Sequence, residues 1–152
     1  MKTQQEISAG GVVYKKEKNK PTLWLITQHS QNKSWGFPKG LIGDDKTESI
    51  EEAALREVHE EGGVVARIIL PQPVSIHYQY HWKGSPHGGT TKQNMLVDKT
   101  VHYFLMEYCS GDPKNHDYEM MDARFVTEEE LLNTLTHASE KEVFKKLSIL
   151  IQ

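Results

Sequence analysis

The sequence predicts an α/β or α+β domain in which a mixed sheet carries a few helices, and three observations predict it. Segments rich in β-formers recur along the chain and are interrupted by three stretches with helical spacing. The length of 152 residues suits one domain spanning 1–152, large enough to bury a sizeable core. Apolar residues make up 37% and charged residues 26%, a balance that folds rather than staying disordered.

Residues 7–15 (ISAGGVVYK) open the series as a strand, and residues 22–29 (TLWLITQH) follow, with Pro21 at the turn. Residues 30–47 contain Gly36, Pro38, Gly40, Gly43 and the pair Asp44-Asp45, the composition of a long loop with a short extended piece at Trp35-Gly36-Phe37. A helix is expected over 49–61. Ser49 with Glu52 matches a capping box; Ile50, Ala53, Ala54 and Val58 mark a buried stripe; Gly62 and Gly63 terminate it. Strands are expected near 64–70, 73–82, 99–108 and 122–126, with a mobile Gly- and Thr-rich surface loop at 83–98. Thr127 with Glu130 forms a second capping box for a short helix to about Leu135. Ser139 with Glu142 caps a third helix whose apolar face is Val143, Phe144, Leu147 and Leu150.

The charge balance excludes several function classes. Eighteen Lys and Arg against 21 Asp and Glu leave a formal charge of -3, which excludes a broadly basic, extended nucleic-acid surface. Cys109 is the sole cysteine, so no intramolecular disulfide or cysteine-built zinc site is available. No apolar run approaches the ~20 residues a membrane helix needs, and the start MKTQQEISAGG lacks the layout of a signal peptide. The expectation is a soluble cytoplasmic protein.

The chemistry concentrates on the 49–61 helix. Glu57 is i+3 from Glu60 and i+4 from Glu61, so the three carboxylates share one edge and repel each other. Between Thr47 and Glu61 no lysine relieves them, and Arg56 is the only Lys or Arg. Such a cluster suits a hard divalent cation with oxygen ligands, Mg²⁺ or Mn²⁺; a solvated acidic face is the alternative.

Gly40, Glu48 and the run Arg56-Glu57-Val58-His59-Glu60-Glu61-Gly62-Gly63-Val64 resemble the Nudix box of the Nudix hydrolases. From Glu48 onward the match holds at every position. Between Gly40 and Glu48 lie seven residues where the box has five, a two-residue insertion in the loop. Ala9-Gly10-Gly11 resembles the family's first strand, and Trp35-Gly36-Phe37-Pro38-Lys39-Gly40 its approach to the box. The resemblance implies an α/β/α sandwich around a mixed sheet and metal-dependent hydrolysis of nucleoside diphosphates linked to another group. It implies that Glu57, Glu60 and Glu61 bind metal together with the Gly40 carbonyl, and that Arg56 and Glu48 form a salt bridge holding loop to helix. Glu119 falls where the family carries a further metal-binding glutamate; a plain loop acid is the other reading.

The approach motif resembles the diadenosine tetraphosphate hydrolase branch and its relatives acting on diphosphoinositol polyphosphates or capped RNA. That resemblance gives Lys39 a phosphate contact, against the plainer reading of a solvated loop lysine. It also makes Tyr80 and Tyr103 substrate-binding residues, Tyr103 through base stacking, against the reading of strand aromatics filling a core. Tyr78 and Tyr80 share a parity and are expected on one face. The small-molecule substrate expected is a dinucleoside polyphosphate such as diadenosine tetraphosphate, split to ATP and AMP. RNA 5′-end pyrophosphate removal, nucleoside triphosphate sanitation and a catalytically silent nucleotide-binding module are the alternatives. His77 and His81 share a strand face without a third ligand and read as edge-strand histidines.

Overall fold

The computed structural model describes residues 3–42, 47–82 and 95–151. Within them the chain runs β1 (Thr3–Lys15), β2 (Leu23–His29), β3 (Trp35–Gly36), β4 (Lys39–Leu41), α1 (Ile50–Gly62), β5 (Val64–Ile68), β6 (Val74–Trp82), β7 (Met95–Gly111), β8 (Met120–Val126), α2 (Glu128–Thr134) and α3 (Ala138–Ser148). Short 3-10 turns follow β7 and α3.

Every described strand joins one mixed sheet, in the order β3-β2-β1-β7-β5, with β4 on β1, β6 on β7 and β8 on β2. Its axis is the parallel pairing of β1 with β7, in register from Thr3↔Leu96 to Tyr14↔Glu107. All other pairings are antiparallel. β7 is long enough to serve two partners on its far edge, β6 along Met95–Tyr103 and β5 along Met106–Gly111. The opposite edge of β1 is likewise shared, between β2 at Tyr14 and Lys15 and β4 at Ser8–Gly10.

Side-chain alternation divides the core in two. Val12, Tyr14, Val101, Tyr103 and Leu105 point to one face and meet Leu131, Val143, Phe144 and Leu147 from α2 and α3. Ala9, Val13, Phe104 and Met106 point to the other and meet Ala53, Ala54 and Val58 of α1. The helices thus cover both faces, giving the α/β/α sandwich that the resemblance implies. None of the described helices is long and apolar enough to cross a membrane.

The α1 prediction holds in detail. Ser49 and Glu52 exchange both capping-box bonds, and the chain leaves the helix through a left-handed Gly63. Thr127 and Glu130 cap α2 in the same way. Three expectations need correction. Residues 95–98, expected in the 83–98 loop, belong to β7, because Leu96 and Val97 pair on both edges with β1 and β6; residues 83–94 lie outside the described residues. Ser139 does not cap α3. The cap position is His137, which makes no side-chain cap bond, and Ser139 sits inside the first turn. Leu150 lies past the end of α3 in an exposed 3-10 turn, whereas Val143, Phe144 and Leu147 are buried as expected.

Candidate active site

The site forms where the loop between β3 and α1 crosses the glutamate edge of α1. That edge is fixed by the helical stripe. Ala53, Ala54 and Val58 anchor α1 on the sheet, which turns Glu57 and Glu61 inward beside the loop and leaves Glu60 half in solvent. Only 8% of Glu57 and 7% of Glu61 is exposed.

Loop and helix are bonded at successive residues. The Lys39 N–H donates to Glu61 Oε1 at 3.1 Å. Gly40 then passes so close that a Cβ there would stand 2.3 Å from the Glu57 carboxyl carbon, a position only glycine can occupy. Arg56 ties the remainder together. Its Nε and Nη2 donate to the two oxygens of Glu48 at 2.7 and 3.0 Å, a bidentate pair, and Nη2 also reaches the Leu41 carbonyl. Its Nη1 bridges Glu57 at 2.6 Å and Glu60 at 3.3 Å. The hydrogen bond to Glu48 is the main influence holding the guanidinium above its ordinary pKa. Residues 43–46, part of the loop that carries the two-residue insertion, lie outside the described residues.

Burial pushes the Glu61 carboxyl up to about 8, against the Lys39 N–H that lowers it. Burial also raises Glu57, opposed by Arg56 and reinforced by the charges of Glu60 and Glu119. Among the described residues no three Asp, Glu, His or Cys side chains are gathered tightly enough to close around an ion, and the Arg56 bridge accounts for the spacing of Glu57 and Glu60. The donor set nonetheless fits a hard divalent cation. Glu57, Glu60 and Glu61 are oxygen donors along one edge, and two of them are buried at a cost that a cation would relieve.

A cleft of about 540 Å³ opens over this edge. Glu57, Glu61, Gly40 and Glu119 line one part of it; Lys39, Tyr78, Lys99 and Glu140 line another. The volume lies within the range of nucleotide-sized ligands. Lys99 stands beside Tyr78 in register and beside Glu6 of β1. Burial lowers its pKa, and the neighbouring charge of Lys39 lowers it further, so two cations face the same space.

The structure thus gathers Glu57, Glu61, Gly40, Lys39 and Glu119 at one cleft, with Glu60, Arg56 and Glu48 on its α1 side. It places the two tyrosines differently from expectation. Tyr103 has no exposed surface, and its ring packs edge-on against Phe37 at 6.0 Å. The core reading of Tyr103 prevails because position 103 continues the inward alternation of Val101 and Leu105. Tyr80 lies outside the cleft lining and donates its hydroxyl to Glu6 at 2.9 Å. Tyr78, on the same face with its ring 6.2 Å from that of Tyr80, has 41% of its surface exposed and lines the cleft instead. Lys99 and Glu140 were not singled out by the sequence, and Tyr78 was noted only as sharing a face with Tyr80. For Lys99 a signal existed: it heads the inward series that continues through Val101, Tyr103 and Leu105, where a cation is out of place. His77 pairs with Asp98, consistent with an edge-strand role.

Comparison with known proteins finds relatives of the chain and of its fold. The model of the NUDIX domain matches residues 5–147. The chain is 29% identical over 146 residues to MutT4 of Mycobacterium tuberculosis, named as a mutator protein; the match covers 93% of this chain but 54% of that relative. It is 33% identical over 119 residues to an RNA pyrophosphohydrolase of Nitratiruptor, covering 75% of this chain and 71% of the relative. Among solved structures it resembles a C. elegans Ap4A hydrolase in a binary complex, with a TM-score of 0.65, 23% identity and coverage of 96% and 97%. A NUDIX domain of Shewanella oneidensis NrtR complexed with ADP ribose superposes with a TM-score of 0.61 at 15% identity, covering 97% of this chain and 89% of that one.

Proposed function

Because the chain belongs to the NUDIX family, we propose that it is a metal-dependent hydrolase of phosphoric anhydrides acting on a nucleoside polyphosphate. The substrate we infer is a dinucleoside polyphosphate such as diadenosine tetraphosphate, cleaved by water to ATP and AMP. One observation carries the reading: a buried glutamate edge and two cations share a single nucleotide-sized cleft. The likeness to an Ap4A hydrolase fold is consistent with it.

Glu57, Glu60 and Glu61 would hold the ion, with Glu119 and the Gly40 backbone beside them. The chemistry that Mg²⁺ (with Mn²⁺ as a substitute) would supply there is neutralisation of the diphosphate and a lowered pKa for a water. Lys39 and Lys99 attract and orient the polyphosphate as point charges. Tyr78 offers a ring face at the cleft wall. Arg56 and Glu48 hold the loop on α1 so that the carboxyl groups keep their spacing. Attack by water on one phosphorus breaks one P–O bond of the anhydride, and the two fragments leave as phosphates. A carboxylate within reach accepts the proton of the water.

Product analysis tests the reading directly. Diadenosine tetraphosphate, ADP-ribose, 8-oxo-dGTP and a 5′-triphosphate RNA are incubated with the protein in Mg²⁺ and again in excess chelator. The expected result is ATP plus AMP from the first compound, lost in chelator and restored by Mg²⁺. Cleavage of the RNA alone would transfer the activity to the chemistry named for the Nitratiruptor relative. Tight nucleotide binding without cleavage of any compound would make the chain a silent binding module.

A further inference from the structure

A glutamate in the first turn of a surface helix normally stands in water, yet Glu140 of α3 is only 3% exposed. Its two oxygens are treated unequally. Oε2 accepts from the Tyr103 hydroxyl at 2.8 Å and from the Phe37 N–H at 3.3 Å. Oε1 lies over Gly36, where a Cβ would stand 2.6 Å away, so a glycine keeps the approach open. Among the described residues no donor reaches Oε1. Ser8 Oγ is the one described side-chain atom that is both fully buried and unpartnered, so Glu140 Oε1 keeps contact with the open space it borders, where a ligand's donor can reach it.

Glu140 borders both the main cleft and a side pocket of about 230 Å³. Lys39, Tyr78 and His137 are likewise shared, so the two spaces adjoin. The side pocket adds Ile76, Tyr103 and Ser139, two largely apolar side chains and one hydroxyl. It is smaller than a whole-ligand site and suits a flat heterocycle. The charge of Glu140 is felt by the hydroxyls of both Tyr78 and Tyr103, after the larger effect of burial.

We propose that this side pocket takes the base of the bound nucleotide, stacked on Tyr78, and that Glu140 Oε1 selects bases carrying an amino group by accepting its N–H. The inference rests on the nucleotide reading of the cleft and extends it to a specificity-determining residue. A carboxylate oxygen offers only lone pairs. An amino group at the base edge donates to it. A carbonyl at the same place sets lone pair against lone pair and displaces the water that would otherwise serve the oxygen. Adenine is therefore favoured over hypoxanthine, in which that amino group is a carbonyl.

The test measures AMP and IMP binding calorimetrically to the full chain and to Glu140→Gln. Glutamine keeps an acceptor oxygen for Tyr103 and Phe37 while placing an N–H donor where Oε1 stands. The native chain is expected to bind AMP about tenfold more tightly than IMP, the worth of one hydrogen bond to a charged group. In the variant that ratio is expected to fall to about one or to invert. The ratio of kcat/KM for diadenosine and diinosine tetraphosphate gives a second readout of the same preference. A native ratio near one, or equal losses for both bases in the variant, would overturn the proposal and leave Glu140 as a packing group. Mononucleotide binding does not require turnover. A chain that cleaves no anhydride yet shows the Glu140-dependent preference would refute the hydrolase reading and keep the base selection.

Discussion

Two glutamates from opposite faces of the sheet hold the loop that carries Lys39. Glu61 of α1 takes the Lys39 N–H, and Glu140 of α3 takes the Phe37 N–H two residues earlier. Their settings differ. Glu61 belongs to an edge crowded with carboxyl groups, where burial and the charge of Glu57 both raise its pKa. Glu140 stands apart from that edge, and its neighbours are tyrosines and a glycine. At the α1 end the cost of burial is one that a cation would relieve. At the α3 end it is met by two donors on one oxygen, while no described residue serves the other. On the proposed reading the first end would serve chemistry on phosphate, and the second would serve recognition while it holds the loop.

Replacing Glu60 by Gln strikes the first end alone and carries the largest expected effect. The side chain is 45% exposed and its bond to Arg56 is a long surface contact of little worth to the fold. Stability is expected to change by no more than about 0.5 kcal/mol. On the proposed metal-holding role, loss of this carboxylate would be worth several kcal/mol of barrier, a fall of roughly a thousandfold or more in kcat. Steady-state kinetics beside thermal unfolding would check both halves. A variant with ordinary turnover would remove Glu60 from the metal-holding set and blur the contrast between the two ends.

Gly40→Ala sharpens the contrast by attacking the loop at the same end without removing a carboxyl group. The added methyl would meet the Glu57 carboxyl group from 2.3 Å, so loop and helix edge must separate. Displacing a group that orients metal-binding residues commonly costs 10- to 100-fold in activity, and overpacking costs ~1–3 kcal/mol in stability. Mg²⁺ titration of activity is the appropriate measurement, with a higher metal requirement expected. An unchanged titration would show that the close approach is dispensable.

The difference between the two ends also explains what could be read from sequence. The α1 end lies within one helix, so its capping box, apolar stripe and i, i+3, i+4 glutamates are local and were legible residue by residue. Arg56 and Glu48 are eight residues apart and were legible too. The α3 end is assembled from Phe37, Tyr103 and Glu140, separated by 66 and 37 positions along the chain, and no local pattern joins them. Glu140 looks like an ordinary solvent-facing acid in Ala-Ser-Glu-Lys-Glu. For Tyr103 both the stacking and the core readings were open, and only the two-sided alternation of β7 under α3 decides for the core. The start of β7 was hidden for a similar reason. Strand structure at Met95–Asp98 comes from pairing with β1 and β6, not from its own composition.

Tyr103→Phe isolates the structural share of the α3 end and carries the smallest expected effect. The substitution keeps the ring and its packing against Phe37 and removes one donor from a buried oxygen of Glu140. An unmet buried acceptor costs about 1–3 kcal/mol, moderated here because the Phe37 N–H still serves the same oxygen. Denaturant unfolding is expected to show a loss at the lower end of that range. Since Tyr103 has no exposed surface, kcat on the preferred substrate should stay within a few-fold of the parent. A large fall in kcat with stability intact would mean that the tyrosine reaches the substrate after all. The α3 end would then be part of the chemistry, as the α1 end is.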